Sequence, residues 1–258
     1  MTTRQIIVHE DAAQVAERTA DRLASAVLEA VEARDRAHVV LTGGGVGTAA
    51  LAALAGCAGS AAIDWTRVEL WWGDERFLPA GHPDRNETQA RAALLDGLAI
   101  PAERVHAMPA AGGGPWGEDA DDAAAAYAGE LAAAADGSDE AVPRFDVVLL
   151  GVGPDGHVAS LFPDHPDQRS APGVAVVGVH DSPKPPPTRV SLTFEALRRG
   201  RQVWLLAAGA EKAAAVGRAV RTDDPLAVPA SGVAGTEKTL WLIDRAAAAE
   251  IPEGLVGG

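Results

Sequence analysis

A single cysteine, Cys57, in 258 residues excludes an internal disulfide and a thiol-based zinc cluster. On its Ala-rich stretch it reads as a small apolar residue. Lysine is almost as scarce, with only Lys184, Lys212 and Lys238, and the 22 Lys and Arg fall short of 36 Asp and Glu, a formal net charge of −14. No basic stripe remains from which a nucleic acid could release counterions, so general nucleic-acid binding is excluded. Apolar runs are broken well before the ~18 residues of a membrane-spanning helix. The patch Ile6-Ile7-Val8 is too short, and too soon followed by Glu10, to be a signal peptide. A soluble, cytoplasmic protein with no membrane contact is the expectation. His9, His38, His82, His106, His165 and His180 show no H-x-x-x-H spacing, so no metal is expected. Neither Ser160 nor Ser182 sits in a G-x-S-x-G elbow, which argues against a serine hydrolase.

What the chain does have is a 47% apolar fraction, enough for a sizeable core, arranged with two periods. Extended runs at 5–8, 38–41, 67–72, 145–150, 174–179, 202–207 and 239–243 alternate with helical stretches over 11–33, 48–55, 85–95, 118–135 and 211–220. Such alternation predicts the α/β class: one domain over residues 1–258, built on a mostly parallel sheet flanked by helices on both faces. Residues 112–117 and 136–143, rich in Gly, Ser, Asp and Pro, read as surface loops. Ligands of an open α/β sheet bind outside the carboxyl ends of its strands, so the residues just after each strand are the place to look for chemistry.

Four such junctions stand out. Thr42-Gly43-Gly44-Gly45-Val46-Gly47 brings backbone amides and the start of a helix near Thr48 to one point, a cradle for a phosphate or carboxylate, or else simply a tight strand-to-helix turn. Gly151-Val152-Gly153-Pro154-Asp155-Gly156 has the spacing of a dinucleotide fingerprint, but Pro163 and Pro166 cut off the helix that should follow, so no nicotinamide cofactor is expected. The same loop holds His157 two residues after Asp155; a histidine there can serve as general base at neutral pH, with Asp155 fixing its tautomer, or can merely pack. Asp74-Glu75-Arg76 follows the apolar Trp71-Trp72. It is expected to point into the crevice, Asp74 or Glu75 toward sugar hydroxyls, or to form a solvated turn closed by Pro79. Lys184, bracketed by Pro183 and Pro185-Pro186-Pro187, and Arg189 after it suit a phosphate held remote from the reacting carbonyl, the alternative being a stiff polyproline connector.

The run Leu149-Leu150-Gly151-Val152-Gly153-Pro154-Asp155-Gly156-His157-Val158-Ala159-Ser160-Leu161-Phe162-Pro163, with Asp74-Glu75-Arg76 and Ser182-Pro183-Lys184-Pro185-Pro186, resembles the 6-phosphogluconolactonases. The resemblance implies a Rossmann-like domain shared with glucosamine-6-phosphate deaminases. It further implies metal-independent hydrolysis of 6-phospho-D-glucono-1,5-lactone in the pentose phosphate pathway, with no cofactor. His157, Asp155, Arg76 and Asp74 are then the expected catalytic group. Thr42, Gly43, Gly44, Gly45, Glu75, Asn86, Gly156, Lys184 and Arg189 are the expected substrate contacts. The expected partner is a sugar-phosphate lactone, and the chain a monomer or weak homo-oligomer. Two departures from the family pattern are Gly45-Val46-Gly47, where hydroxyls and a proline are usual, and Arg85 in place of a serine before Asn86. Competing readings are a deaminase, a non-catalytic sugar-phosphate sensor and a nicotinamide oxidoreductase. Against the first, Ser160-Leu161-Phe162 lacks the carboxylate of the deaminase F-N-E turn, and Arg76 stands where D-E-Y is usual.

Overall fold

The structure is a computed structural model that describes residues 3–135, 137 and 140–255, so the expected loop over 136–143 lies partly outside the described residues. In chain order the elements are β1 (Thr3–His9), α1 (Ala12–Arg34), β2 (Ala37–Leu41), α2 (Gly44–Gly56), β3 (Val68–Trp72), β4 (Asp74–Arg76), α3 (Asn86–Ala93) and α4 (Ala120–Ala133). There follow β5 (Val147–Gly151), β6 (Val176–Val179), β7 (Arg189–Leu192), α5 (Phe194–Leu197), β8 (Gln202–Ala207), α6 (Ala213–Ala219) and β9 (Lys238–Asp244). Helix α1 shows how sequence becomes structure here. Asp11 Oδ1 accepts from the Gln14 amide at 2.9 Å to start it, Asp35 ends it in the left-handed region, and Val15, Leu23, Val27 and Ala30 form its buried stripe. Among the described residues no helix is long and apolar enough to cross a membrane.

Six strands form a wholly parallel sheet in the order β1-β9-β8-β5-β2-β3. Its central strands β5 and β8 are apolar on both faces, as buried parallel strands must be, and Trp71, Trp72, Trp204 and Trp241 are fully buried in the sheet. From β2 the chain moves outward to β3, whereas from β5 it moves the other way through β8 to β9. The direction of winding therefore reverses between β2 and β5, and a crevice opens at the carboxyl ends of β2, β5 and β8.

Three expectations are corrected. A second sheet, antiparallel and ordered β4-β7-β6, was not foreseen; it takes in Asp74–Arg76, expected to be a junction, and β6, expected in the parallel sheet. Its strands are three or four residues long, too short to show an alternating pattern. The helix expected from Thr48 begins at Gly44; its glycine-rich first turn carries no apolar period by which a helix could be read from the sequence. Arg189, expected at the end of a proline-rich junction, instead opens strand β7, whose residues 190–192 had no expected element.

At the opposite, amino end of the sheet, His106 stacks on Trp71 at 3.8 Å with the rings 4° apart. Its Nε2 lies 2.9 Å from Glu69 and its Nδ1 2.6 Å from Glu130, so both nitrogens face carboxylates and the ring is held as an imidazolium. Burial alone would push His106 down, but the hydrogen bonds and charges of Glu130 and Glu69 outweigh it and hold the group above its ordinary value. A group raised on folding stabilises fully below its unfolded value, about 6.5, and that contribution is lost as pH rises through the folded value. Thermal melts from pH 6 to 9 are therefore expected to show a steeper alkaline loss of stability in the wild type than in His106→Gln; equal slopes would count against the imidazolium.

Candidate active site

The crevice is a cleft of about 560 Å³. Its walls come from the loop after β2 (Thr42, Gly43, Gly44, Gly45), from β4 and α3 (Asp74, Arg76, Asn86), from the loop after β5 (Gly153, Pro154, His157, Ala159), from Lys184, Pro185 and Arg189, and from Glu211 and Lys212 after β8. Most of the expected site residues, drawn from five separate stretches of sequence, thus meet in one place. Two do not line it. Gly156 sits behind His157 with φ +94°, shaping the turn, and Glu75 is turned away altogether.

His157 is half-buried, and its Nδ1 lies 2.5 Å from Asp155 Oδ1. With Nδ1–H donated to the carboxylate, Nε2 is the nitrogen left to accept a proton. Burial would raise Asp155, but the hydrogen bond from His157 and the charges of His157 and Lys184 hold it well below the usual carboxylate range, so it stays ionised and fixes that tautomer. Gly153 makes the pairing possible: a Cβ there would come within 2.0 Å of His157 Nδ1 and 2.6 Å of Asp155 Oδ1. The Asp155 carbonyl in turn accepts from Arg218 Nη2 at 3.1 Å, which ties the loop to α6.

Lys184 is not set apart from this pair. Its Nζ donates to Asp155 Oδ1 at 3.4 Å and lies 3.3 Å from His157 Nδ1, so the flanking prolines deliver the ammonium to the base itself. Arg189, at the head of β7 and paired across the sheet with Arg76, spends one edge of its fork on the chain: Nε donates to Pro186 O at 3.1 Å, and Nη2 to Lys184 O and Pro185 O at 3.1 and 3.0 Å. It shapes the lysine loop as well as lining the cleft.

The acidic triplet divides by strand alternation. Asp74 reaches the cleft wall, where its Oδ2 accepts from Ser160 Oγ at 2.7 Å and its Oδ1 from Asn86 Nδ2 at 3.3 Å. Asn86 Oδ1 in turn accepts from Arg76 Nη1 at 2.7 Å, so Arg76 is positioned through Asn86 and not by direct contact with Asp74. Glu75, expected on sugar hydroxyls, is only 1% exposed and accepts from the backbone amides of Arg76, Asn86 and Glu87 at 2.8, 2.7 and 2.9 Å. Its other partner is the equally buried Arg85, Nη2 lying 3.7 Å away, while Arg85 also donates to Leu78 O and Met108 O. Burial pushes the Glu75 carboxyl up against these opposing contacts. The pair therefore explains the arginine at position 85 and anchors the start of α3; it does not face a ligand.

On the opposite wall, α2 opens directly onto the cleft. Gly44 has φ +81°, a side chain at Gly44 or Gly45 would meet nothing within 4 Å, and a Cβ at Gly43 would strike Asn86 Oδ1 at 1.9 Å. The first-turn amides of this 13-residue helix have no helical acceptors and carry the positive end of its dipole. Thr42 Oγ1 accepts from the Gly151 amide at 3.2 Å, joining the β2 and β5 loops. Lys212 was not among the expected site residues, although its place five residues after a strand, at the same carboxyl edge, was the available signal. Burial, aided by the like charge of Lys184, lowers its ammonium from the ordinary value. One group of three metal-ligating side chains exists among the described residues, Asp119, Asp121 and His180, and it lies on the surface outside this cleft.

The profile of the family described as glucosamine-6-phosphate isomerases/6-phosphogluconolactonase matches residues 10–241. A 6-phosphogluconolactonase of Streptomyces coelicolor is 55% identical over 254 residues, covering 98% of this chain and 97% of that protein; the one of Mycobacterium tuberculosis is 51% identical over 231 residues, with 90% and 92% covered. Among solved structures, the 6-phosphogluconolactonase of Trypanosoma brucei superposes with a TM-score of 0.83 at 27% identity, over 98% of this chain and 100% of that one. A monomeric glucosamine-6-phosphate deaminase at 18% identity, TM-score 0.76, shares the fold. On these grounds the chain belongs to the glucosamine-6-phosphate isomerase/6-phosphogluconolactonase family.

Proposed function

We propose that this chain is a 6-phosphogluconolactonase, hydrolysing 6-phospho-D-glucono-1,5-lactone to 6-phosphogluconate, with His157 as general base. The observation that carries the mechanism is the 2.5 Å contact between His157 Nδ1 and Asp155 inside a cleft lined by four cations, Arg76, Lys184, Arg189 and Lys212. A lactone carbonyl is already electrophilic, so the task is to orient the ester and supply a base at working pH. His157 Nε2 takes a proton from water as its oxygen attacks the carbonyl carbon. The tetrahedral oxyanion then collapses, the bond to the ring oxygen breaks, and that oxygen takes the proton back from the imidazolium. The product acid ionises, releasing the proton that an assay detects. Asp155 stays anionic throughout, offsetting the charge on the ring. The first-turn amides of α2, with Lys212 and the open edge of Arg189, suit the dianionic phosphate. The deaminase reading has less support: from the turn after His157 the cleft receives Ala159 and no carboxylate.

His157→Ala is expected to lose about 10²–10⁴-fold in kcat while keeping its affinity for 6-phosphogluconate, measured by proton release and by calorimetry. A folded variant hydrolysing at the wild-type rate would move the base elsewhere, to Asp74. The cations should separate by readout. Arg189→Ala and Lys212→Ala are expected to weaken product binding, each with a roughly 10- to 150-fold loss in kcat/KM, whereas Lys184→Ala should lower kcat as well because it abuts the dyad. Unchanged kcat/KM in all three would refute the phosphate assignment.

A further inference from the structure

We infer that Phe162 is a positioning residue that sets the His157 imidazole and the Arg189 guanidinium relative to one another, one buried ring bracing both the base and an anion-holding cation. This rests on the functional reading above. Phe162 has 0% exposure and does not line the cleft, so it touches no substrate. Its ring centroid lies 4.7 Å from that of His157, tilted by 42°, and Arg189 Cζ stands 5.5 Å over the same ring.

Each functional group is otherwise held along one edge only. Asp155, Lys184 and the closely packed Gly153 all meet His157 on its Nδ1 side, which leaves the rest of the ring to be set by packing. The Lys184, Pro185 and Pro186 carbonyls fix Arg189 along Nε and Nη2, leaving its face unsupported. A flat apolar surface against both removes the remaining freedom, and for the guanidinium it adds attraction to the ring face. The ring itself has little room to yield. Ala159 and Asp164, on either side of it, both adopt left-handed backbone, with φ +49° and +56°. The turn is closed by Leu161 N to Val158 O at 3.0 Å, and Asp164 N reaches across to Leu226 O at 2.8 Å. Holding non-glycine residues at positive φ costs energy that the surrounding contacts must offset, and here that conformation delivers Phe162 beneath the site.

The test compares Phe162→Leu and Phe162→Met, two apolar side chains that lack a flat face, with the wild type, Arg189→Ala and the double variants, each first melted to establish folding. Two quantities are read: kcat by proton release from freshly generated lactone, and 6-phosphogluconate affinity by calorimetry. Both Phe162 variants are expected to lose about 10- to 100-fold in kcat through the displaced base. They should also bind product more weakly, by a factor that shrinks when Arg189 is already Ala, since two residues acting through one contact do not add. Folded variants with a lowered Tm but wild-type kcat and product affinity would show a purely structural residue and overturn the inference, as would full additivity with Arg189→Ala. If the wild type does not accelerate lactone opening, the functional reading falls and this inference with it; if the wild type is active and the Phe162 variants match it, this inference falls alone.

Discussion

Strands β2, β5 and β8 are hydrogen-bonded in parallel, with Val39 opposite Val147 and Leu150 opposite Leu205, and this register fixes where everything else can go. Parallel neighbours end at one level, so the chain must leave all three on the same side of the sheet. Thr42, Val152 and Ala208 are the first residues out, and Thr42 Oγ1 accepting from the amide of Gly151, the last residue of β5, stitches two of the exits together. Because winding reverses between β2 and β5, the connections that leave these two strands diverge at that point. The cleft is therefore a consequence of topology before any catalytic residue is considered.

Within that frame, the small antiparallel sheet supplies what the parallel one cannot. Strand β4 runs straight on from β3 through Gly73, and its pairing with β7 sets Arg76 beside Arg189, two cations from stretches more than a hundred positions apart in the chain. Like charges so placed repel unless anions lie between or around them. Asp74, Glu75 and the Asn86 carbonyl oxygen meet that need from the protein side, and a phosphorylated substrate would meet it from the other. The buried Glu75–Arg85 pair belongs to the same economy of charge. Removing either partner alone would strand a charge in the core, typically a loss of several kcal/mol, and would free the start of α3, from which Asn86 holds Arg76.

Much of this was legible in the sequence, for identifiable reasons. Long parallel strands and the helices between them carry strong periods, so their existence and the site's location at the carboxyl edge could be read directly. The glycine-bracketed His157 and Asp155 could be read too, because few purposes other than a close approach explain so many glycines around a titratable ring. The second sheet could not, since strands such as Asp74–Arg76 and Val176–Val179 are too short for a pattern. Glu75 was misread because strand alternation, which turns it away from its neighbours Asp74 and Arg76, applies only once that segment is known to be a strand. Lys212 was overlooked because a lysine at a helix start has many ordinary explanations. Nothing local in the sequence marks Lys184 as a neighbour of His157; that proximity exists only after β5 and β7 are brought to the same edge.

The chain's acidity and its anionic ligand are reconciled by position. Over the whole molecule acids exceed bases by 14, yet in the cleft four cationic side chains face two carboxylates, Asp74 and Glu211. Charges separated by more than a Debye length, about 8 Å at physiological ionic strength, are largely screened; the surface acids therefore keep the molecule apart from other polyanions without governing what happens inside the cleft. There the low-dielectric walls strengthen the short-range attraction of the cations and of the α2 amides. The loop Gly43-Gly44-Gly45-Val46 fits this division of labour. With no side-chain hydroxyl at positions 44 to 46, what that wall offers an anion is backbone amides, whose charge neither titrates nor moves, with the ammonium groups of Lys184 and Lys212 elsewhere in the same cleft.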